Sequence, residues 1–429
     1  MNTDGEHALP ERDYLSREEV TRALNIRAQT LYAYVSRGWI RSISRPGTKL
    51  KLYSREDVER ILERIRARRG HGAVAAAAMR WGDPIIRSAI TEITADGPKY
   101  RGRLALELAR GGHPFESVAE LLWSGIAFDE PIAWEVMPPP FPPGALIDRV
   151  GVEQPQSQLL PSMALLTIAL GMSRGVPSER IKQGTALIAA RQLIRALTGC
   201  FGFLGRRPAY VPPQPGDAIA ASVARACGIS ATSEAVAAVN AALILSADHE
   251  LAPSTFAARV AASTSADLHS AVSSALCTHS GTQQGRSCDR LEELLASVDS
   301  AAALRRKLES LQRSGAKLTG FNHPFYPRGD PRSEYLVELA RSVRRPGKRA
   351  ALAFRLLDDA RDRLQSRPSI EAALVTLACA LGLPSGAAGG LFALGRCAGW
   401  VAHILEQRMY GFMLRPRAQF ASLDDPGPD

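Results

Sequence analysis

Apolar positions in this chain recur mostly at helical spacing, and many of them are small. From Ser254 the sequence STFAARVAASTSADLHSAVSSALCTH runs for about twenty-five positions without a strong breaker, and Pro253-Ser254 reads as its start. Alanine and serine let backbones approach, so the stretch predicts a buried helix packed closely against others. It ends in Ser280-Gly281-Thr282-Gln283-Gln284-Gly285-Arg286, a polar turn with two glycines, and it follows an acid-flanked histidine, His249. That order puts two hydrogen-bonding loops on one wall of a pocket. Residues 158–200 and 215–247 predict further long Ala/Leu helices; Gln158 to Leu170 is nearly apolar all round, which suits a bundle core or a subunit interface. Leu104–Leu108 and Phe115–Trp123 read as helices, and the proline-rich Met137–Gly144 as a stiff, exposed connector.

The first part of the chain has another rhythm. Ser16 with Glu19 three residues on has capping-box spacing before a first helix, and Leu24-Asn25-Ile26 makes a turn. Arg27 to Val35 forms a second helix with Leu31 and Val35 inward, Gly38 stops it, and Trp39 and Ile40 pack. Arg45 to Tyr53 reads as a basic hairpin, and Ser54 caps a third helix. Residues 64–72, RIRARRGHG, run from a charged helix end into a linker.

Composition narrows the class. The 429 residues are 45% hydrophobic and only 6% aromatic, long enough for two or three domains with a full core and pointing to a soluble, mostly helical protein. No run of about 18 uninterrupted apolar residues predicts a membrane span, and the N-terminus shows no basic stretch followed by an apolar core. Six cysteines without C-x-x-C spacing read as reduced packing residues in a cytoplasm rather than a disulfide frame or a metal site. The net charge is +10; residues 1–72 hold about fifteen Lys/Arg against about ten acids. Nucleic acid, acidic small molecules and CoA phosphates all fit that charge.

Residues 14–65 resemble the winged helix-turn-helix of mercury-resistance-type regulators and phage excisionases. The resemblance puts Arg27, Gln29, Thr30, Tyr32 and Arg37 on a DNA-recognition helix and Lys49 and Lys51 on the wing, where basic and amide side chains meet phosphates and base edges. The structural alternative is a module that packs on its neighbour or mediates assembly.

From Trp81 onward four stretches resemble the citrate synthase family, in the family's order. DHELAPSTFAARV, from Asp248, resembles its HELNxSTFAAR; GFNHPFYPRGDPR, from Gly320, its GFGHxxYxxxDPR; LFALGRCAGWVAH, from Leu391, its FALGRTAGWIAH; and RPR, from Arg415, its C-terminal arginine motif. The resemblance implies an all-α fold of large and small helical domains, here preceded by the winged domain. The expected bounds are 1–72 for the winged domain, 73–285 with 372–429 for the large domain and 286–371 for the small one. By the same resemblance His323 polarises the ketone of a 2-oxo dicarboxylic acid, while His249, Arg332, Arg396 and Arg415 bind it. Arg415 would come from the other subunit of a homodimer. A coenzyme A thioester is the co-substrate, with no tightly bound cofactor and no metal.

The acyl-CoA side departs from the family. Counting 35 positions from His249, the family's catalytic histidine falls on Gln284, and Arg286 replaces the second glycine of its HGG turn. His279 would need a five-residue slip to take that place. The family's aspartate base falls on Glu371, a carboxylate on a longer stem. A glutamine amide donates a hydrogen bond but cannot shuttle a proton. Three readings follow. The first is an acyl-CoA:2-oxo acid condensing enzyme with Glu371 as base, Gln284 as oxyanion donor and His323 on the ketone. The second is a DNA-binding regulator that senses a 2-oxo acid on a catalytically impaired synthase body. The third is a purely structural partner, against which the retained arginines argue.

Overall fold

The structure, a computed structural model, describes residues 14–24, 26–36, 40, 42–44, 51–55, 57–59, 61–62, 86–127, 132–150, 158–173, 183–282, 285–344 and 346–416. Arg37, Lys49 and Gln284 lie outside the described residues. The chain forms two compact units, one of residues 1–87 with 415–429 and one of residues 88–414.

The first unit runs β1 (Tyr14–Leu15), α1 (Arg17–Leu24), α2 (Ala28–Ser36), β2 (Ser42–Ser44) and β3 (Lys51–Ser54). The strands form an antiparallel sheet with β3 central, Tyr14 opposite Ser54 and Ile43 opposite Leu52. The capping box closes reciprocally: the Ser16 N–H donates to the Glu19 carboxylate at 2.7 Å, and the Glu19 N–H to Ser16 Oγ at 3.2 Å. Each satisfies a donor that the first helical turn leaves orphaned. Val20, Leu24, Leu31, Ile40, Tyr53, Val58 and Ile61 meet in a small core, and Ser54 Oγ accepts from the Asp57 N–H at 3.4 Å.

The second unit opens with a hairpin, β4 (Thr91–Thr94) and β5 (Gly97–Tyr100), extended by β6 (Arg103–Leu104). It then becomes helical: α3 (Ala105–Arg110), α4 (Phe115–Ser124), α5 (Pro143–Val150), α6 (Leu159–Ser173), α7 (Gln183–Thr198), α8 (Ile219–Ala226), α9 (Ser233–Ser246), α10 (Pro253–Ser263) and α11 (Leu268–His279). There follow α12 (Ser287–Ala296), α13 (Ala301–Ser314), α14 (Pro331–Ser342), α15 (Lys348–Leu364), α16 (Ile370–Leu381) and α17 (Ala387–Tyr410).

The single helix expected after Pro253 is two helices, α10 and α11. Ser263 Oγ and Thr264 Oγ1 bond back to the carbonyls of Val260 and Ala261, Ser265 adopts a left-handed φ of 64°, and Asp267 accepts from the N–H groups of His269 and Ser270 as an N-cap. Short polar side chains compete with the helix ladder, and a cap restarts it. The two helices pack on each other, and α11 also packs on α6.

At the centre lies α17, of which residues 387–407 are all buried and which packs against α4, α9, α10 and α16. It and the stretch Ala186–Leu204 are long and apolar enough to cross a membrane, but 100% of the one and 78% of the other is buried in this unit, as core helices are. Glycine permits two close approaches to α17: a Cβ at Gly395 would lie 2.6 Å from the Leu243 carbonyl oxygen, and one at Gly399 would collide with Asp248.

Candidate active site

Two loops, the first turn of α14 and α17 bring His249, His323, Arg332 and Arg396 together. His249 follows α9 in a short loop and is turned by Glu250, whose φ is 56°. His323, Phe325 and Tyr326 lie on the loop before α14. Asn322 adopts a φ of 56°, as short polar side chains tolerate, and its amide ties that loop to the start of α16. It donates to Ser366 Oγ at 3.1 Å and accepts from the Arg367 N–H at 2.8 Å, beside a bridge between Phe321 and Pro368. The rings of His249 and His323 meet edge to face with centroids 4.9 Å apart, and Phe325 stacks on His249 at 5.8 Å.

Both histidines are held neutral. His249 is buried, and its Nε2 shares a 3.0 Å hydrogen bond with Tyr326 Oη. Burial first, and then Arg332 and Arg396, depress its pKa well below the ordinary histidine value. The same causes bring His323 down to about 4. His323 Nδ1 accepts from the Phe325 N–H at 3.2 Å, so the proton of the neutral ring sits on Nε2. That leaves an uncharged donor, the form that polarises a carbonyl without attracting a carboxylate.

The two buried arginines differ. Arg332 makes a fork-to-fork pair with Asp330, Nε to Oδ1 at 2.9 Å and Nη2 to Oδ2 at 2.8 Å. Asp330 also accepts from the N–H of Arg332 itself and from that of Ile370. One carboxylate therefore fixes both a diacid candidate and the first turn of the helix that carries Glu371. Arg396 donates only Nε–H, to the Ser246 carbonyl at 2.8 Å, and its guanidinium lies over the Phe392 ring at 5.0 Å. Its two terminal nitrogens have no partner among the described residues, although the residue is 2% exposed. A buried cation with two unused donors is costly unless an anion comes to it.

On the acyl side, Glu371 stands in the first turn of α16, and its carboxylate has no side-chain partner among the described residues. Burial raises its pKa. Gly285 is pressed against His279, and its N–H donates to the His279 carbonyl at 2.8 Å. The His279 ring is fully buried against Phe392 and Trp400, has no hydrogen-bond partner at either nitrogen, and is driven by burial to a pKa of about 3. Arg286, half-exposed, pairs with Asp289 at 3.4 Å. A cavity of 250 Å³ is lined by Gln158, Leu160, Ser280, Arg286, Asp289 and Gly389, among others; none of the diacid candidates borders it. Among the described residues no cluster of His, Cys, Asp or Glu could hold a metal ion.

The family model described as "Citrate synthase, C-terminal domain" matches residues 79–417. The chain belongs to the citrate synthase family. It is 32% identical over 201 residues to "Citrate synthase 2" of Bacillus subtilis (strain 168), covering 45% of this chain and 52% of that one. It is 29% identical over 191 residues to a 2-methylcitrate synthase of Shewanella oneidensis, covering 43% and 50%. The chain thus spans about half the length of the curated relatives it matches. A solved citrate synthase from Thermoplasma acidophilum, a ternary complex with carboxymethyl coenzyme A and oxaloacetate, shares the mostly helical fold, with a TM-score of 0.69 at 22% identity over 81% of this chain and 96% of that one. The Thermotoga maritima citrate synthase gives 0.62 at 20% identity, over 81% and 96%.

Within this family chain, His249, His323, Arg332 and Arg396 lie near one another, as the mutual charge effects on the two histidines require. Glu371 feels Arg332 and Arg396 as well. Arg415 is exposed. In the first unit Arg27, Gln29, Tyr32 and Lys51 are exposed and Thr30 is half-buried. Tyr326, Asp330 and Asp248 hold the site without being singled out for a role by any motif. The first two were visible inside the quoted GFNHPFYPRGDPR stretch and the third beside His249; what they hold became legible only from the contacts.

Proposed function

We propose that this chain is an acyl-CoA:2-oxo acid condensing enzyme of the citrate synthase type, in which the acyl group becomes an alkyl group on transfer. What carries the reading is the unpartnered guanidinium fork of Arg396, buried beside two neutral imidazoles. One carboxylate of the diacid takes that fork; fixed guanidinium donors suit planar carboxylates. Nη1 of Arg332, outside the pair with Asp330, serves the second carboxylate, and Arg415 of a partner copy in a homodimer completes the grip. His323 donates its Nε2–H to the ketone oxygen. Glu371 removes a proton from the carbon next to the thioester carbonyl, its raised pKa making it a stronger base once ionised. The amide of Gln284 donates to the thioester oxygen as negative charge builds there, and the new carbon–carbon bond forms at the polarised ketone. Water then releases coenzyme A.

The domain bounds follow the family pattern: a large domain of 73–285 with 372–429, a small one of 286–371, and a winged helix-turn-helix in 1–72. The small unit's own core and its exposed Arg27, Gln29, Tyr32 and Lys51 support a second reading, a DNA-binding regulator that senses a 2-oxo acid. Coenzyme A release separates the two, measured from acetyl-, propionyl- and malonyl-CoA with a panel of 2-oxo acids for the native chain and Gln284→His. Turnover by the native chain is expected. Activity that appears only in the histidine variant, together with salt-dependent binding to the DNA upstream of its own gene, would favour the sensor.

A further inference from the structure

The diacid reading leaves one buried polar chain unused. It starts at Arg259 of α10, which is fully buried. Its Nη1 donates to Glu406 Oε2 at 2.7 Å and contacts His403 Nδ1 at 2.8 Å, while Nε donates to Gln407 Oε1 at 3.1 Å. A guanidinium nitrogen only donates, so His403 Nδ1 accepts, and the ring proton lies on Nε2. That nitrogen faces Asp248 Oδ2 at 3.3 Å and donates to it. Asp248 Oδ1 is buried outside strict hydrogen-bond geometry, and the Thr91 hydroxyl acts on the same carboxylate together with His403.

Asp248 belongs to a segment laid along one stripe of α17. The Ser246 carbonyl accepts from Arg396, the Ala247 carbonyl accepts from the Gly399 N–H at 3.0 Å, and Asp248 bonds His403. Positions 396, 399 and 403 share a face of the helix. Tyr100 Oη closes the other side, within 2.9 Å of the Ile244 carbonyl and 3.2 Å of the Asp248 carbonyl. Of the acidic groups acting on Arg396, Asp248 pulls hardest, yet the two form no ion pair. A buried carboxylate, held by His403 and the Thr91 hydroxyl, and a buried guanidinium with a free fork are thus neighbours held apart. Their union would be a strong bidentate pair, and it would fill the place assigned to the substrate.

We infer that His403 is a positioning residue that restrains Asp248, keeping this internal carboxylate off the Arg396 fork so that an external diacid can bind there. The site carries its own competing anion, and the Arg259–His403 pair sets how strongly that anion competes. The inference rests on the diacid reading for its consequence in binding; the position of Asp248 does not depend on that reading.

The test uses the full chain and the variants His403→Phe, His403→Gln, Asp248→Asn and the double variant H403F/D248N. Glutamine at 403 offers an acceptor to Arg259 and a donor to Asp248, whereas phenylalanine offers neither. Oxaloacetate binding by calorimetry is expected to weaken about tenfold or more in His403→Phe, the scale of one or more lost charged hydrogen bonds. His403→Gln should stay near the native affinity, and the double variant should recover most of the loss, because asparagine cannot neutralise Arg396. A merely structural role would leave the double variant as weak as His403→Phe, and that result overturns the inference, as does native affinity in His403→Phe. A ligand-free crystal structure of His403→Phe, or of a folded His403→Leu if the first variant does not fold, decides the same point without substrate. Asp248 on the Arg396 terminal nitrogens is expected; Asp248 in its present place overturns the inference. If no variant, the native chain included, binds oxaloacetate while Asp248 moves as described, the diacid reading fails and the restraint stands.

Discussion

On the proposed diacid wall Arg332, His249, His323 and Asp330 are each held by a partner, while among the described residues the Arg396 fork and Arg332 Nη1 are left open; on the proposed acyl wall Glu371 has no side-chain partner among the described residues and His279 none at either nitrogen. The first wall is fixed before any ligand arrives, with unused guanidinium donors left for an anion. The second keeps its carboxylate unneutralised and its imidazole dry. Preorganised donors grip a ground-state diacid, while a base held in partial burial stays reactive toward a carbon acid. The proposed function thus assigns binding and chemistry to separate elements, and substitutions should separate them.

The largest effect is expected at Asp330, the carboxylate that joins the two walls. Asp330→Asn strands the Arg332 guanidinium in the interior, and removing one partner of a buried pair costs about 3–5 kcal/mol. Denaturant unfolding should show that loss, with diacid affinity falling as well; an unchanged midpoint would mean the walls are not coupled through this residue. Next comes Glu371→Gln, which removes the base and leaves the anion fork untouched. Turnover should fall on the order of 100-fold or more with oxaloacetate affinity unchanged, as a split between kcat and binding reveals. Parallel losses would contradict the separation.

The smallest effect concerns His279. Its folded pKa of about 3 lies below the unfolded value, which is about 6.5. As pH falls below that value the unfolded chain takes up a proton that the folded chain refuses. The stability this group contributes is thus complete above about pH 6.5 and is lost as pH falls toward 3, at up to about 1.4 kcal/mol per pH unit. His279→Leu should flatten the acid limb of a melting-temperature profile by that share and leave pH 8 little changed. An unaltered acid limb would show that the ring is not dry.

How much of this was legible in the sequence differs by region. The capping box at Ser16 and Glu19, the left-handed Asn322 and the buried character of α6 follow from local rules, and the structure has them. The break between α10 and α11 is not legible in the sequence because nothing at Ser263–Asp267 is a glycine or proline; short polar side chains make it by bonding to the backbone. The diacid candidates stood out because each sits in a distinctive motif. Their partners did not: Asp330 bonds a residue 40 positions away, and His403 reaches Asp248 across 155 positions. Such pairings depend on tertiary approach, which neither periodicity nor composition encodes.

The open fork of Arg396 is the claim on which the functional account turns, and calorimetric titration with oxaloacetate tests it most directly. The native chain should bind saturably, and Arg396→Gln, with its melting temperature measured alongside to confirm folding, should lose that binding. Equal affinity in the two proteins would contradict the account.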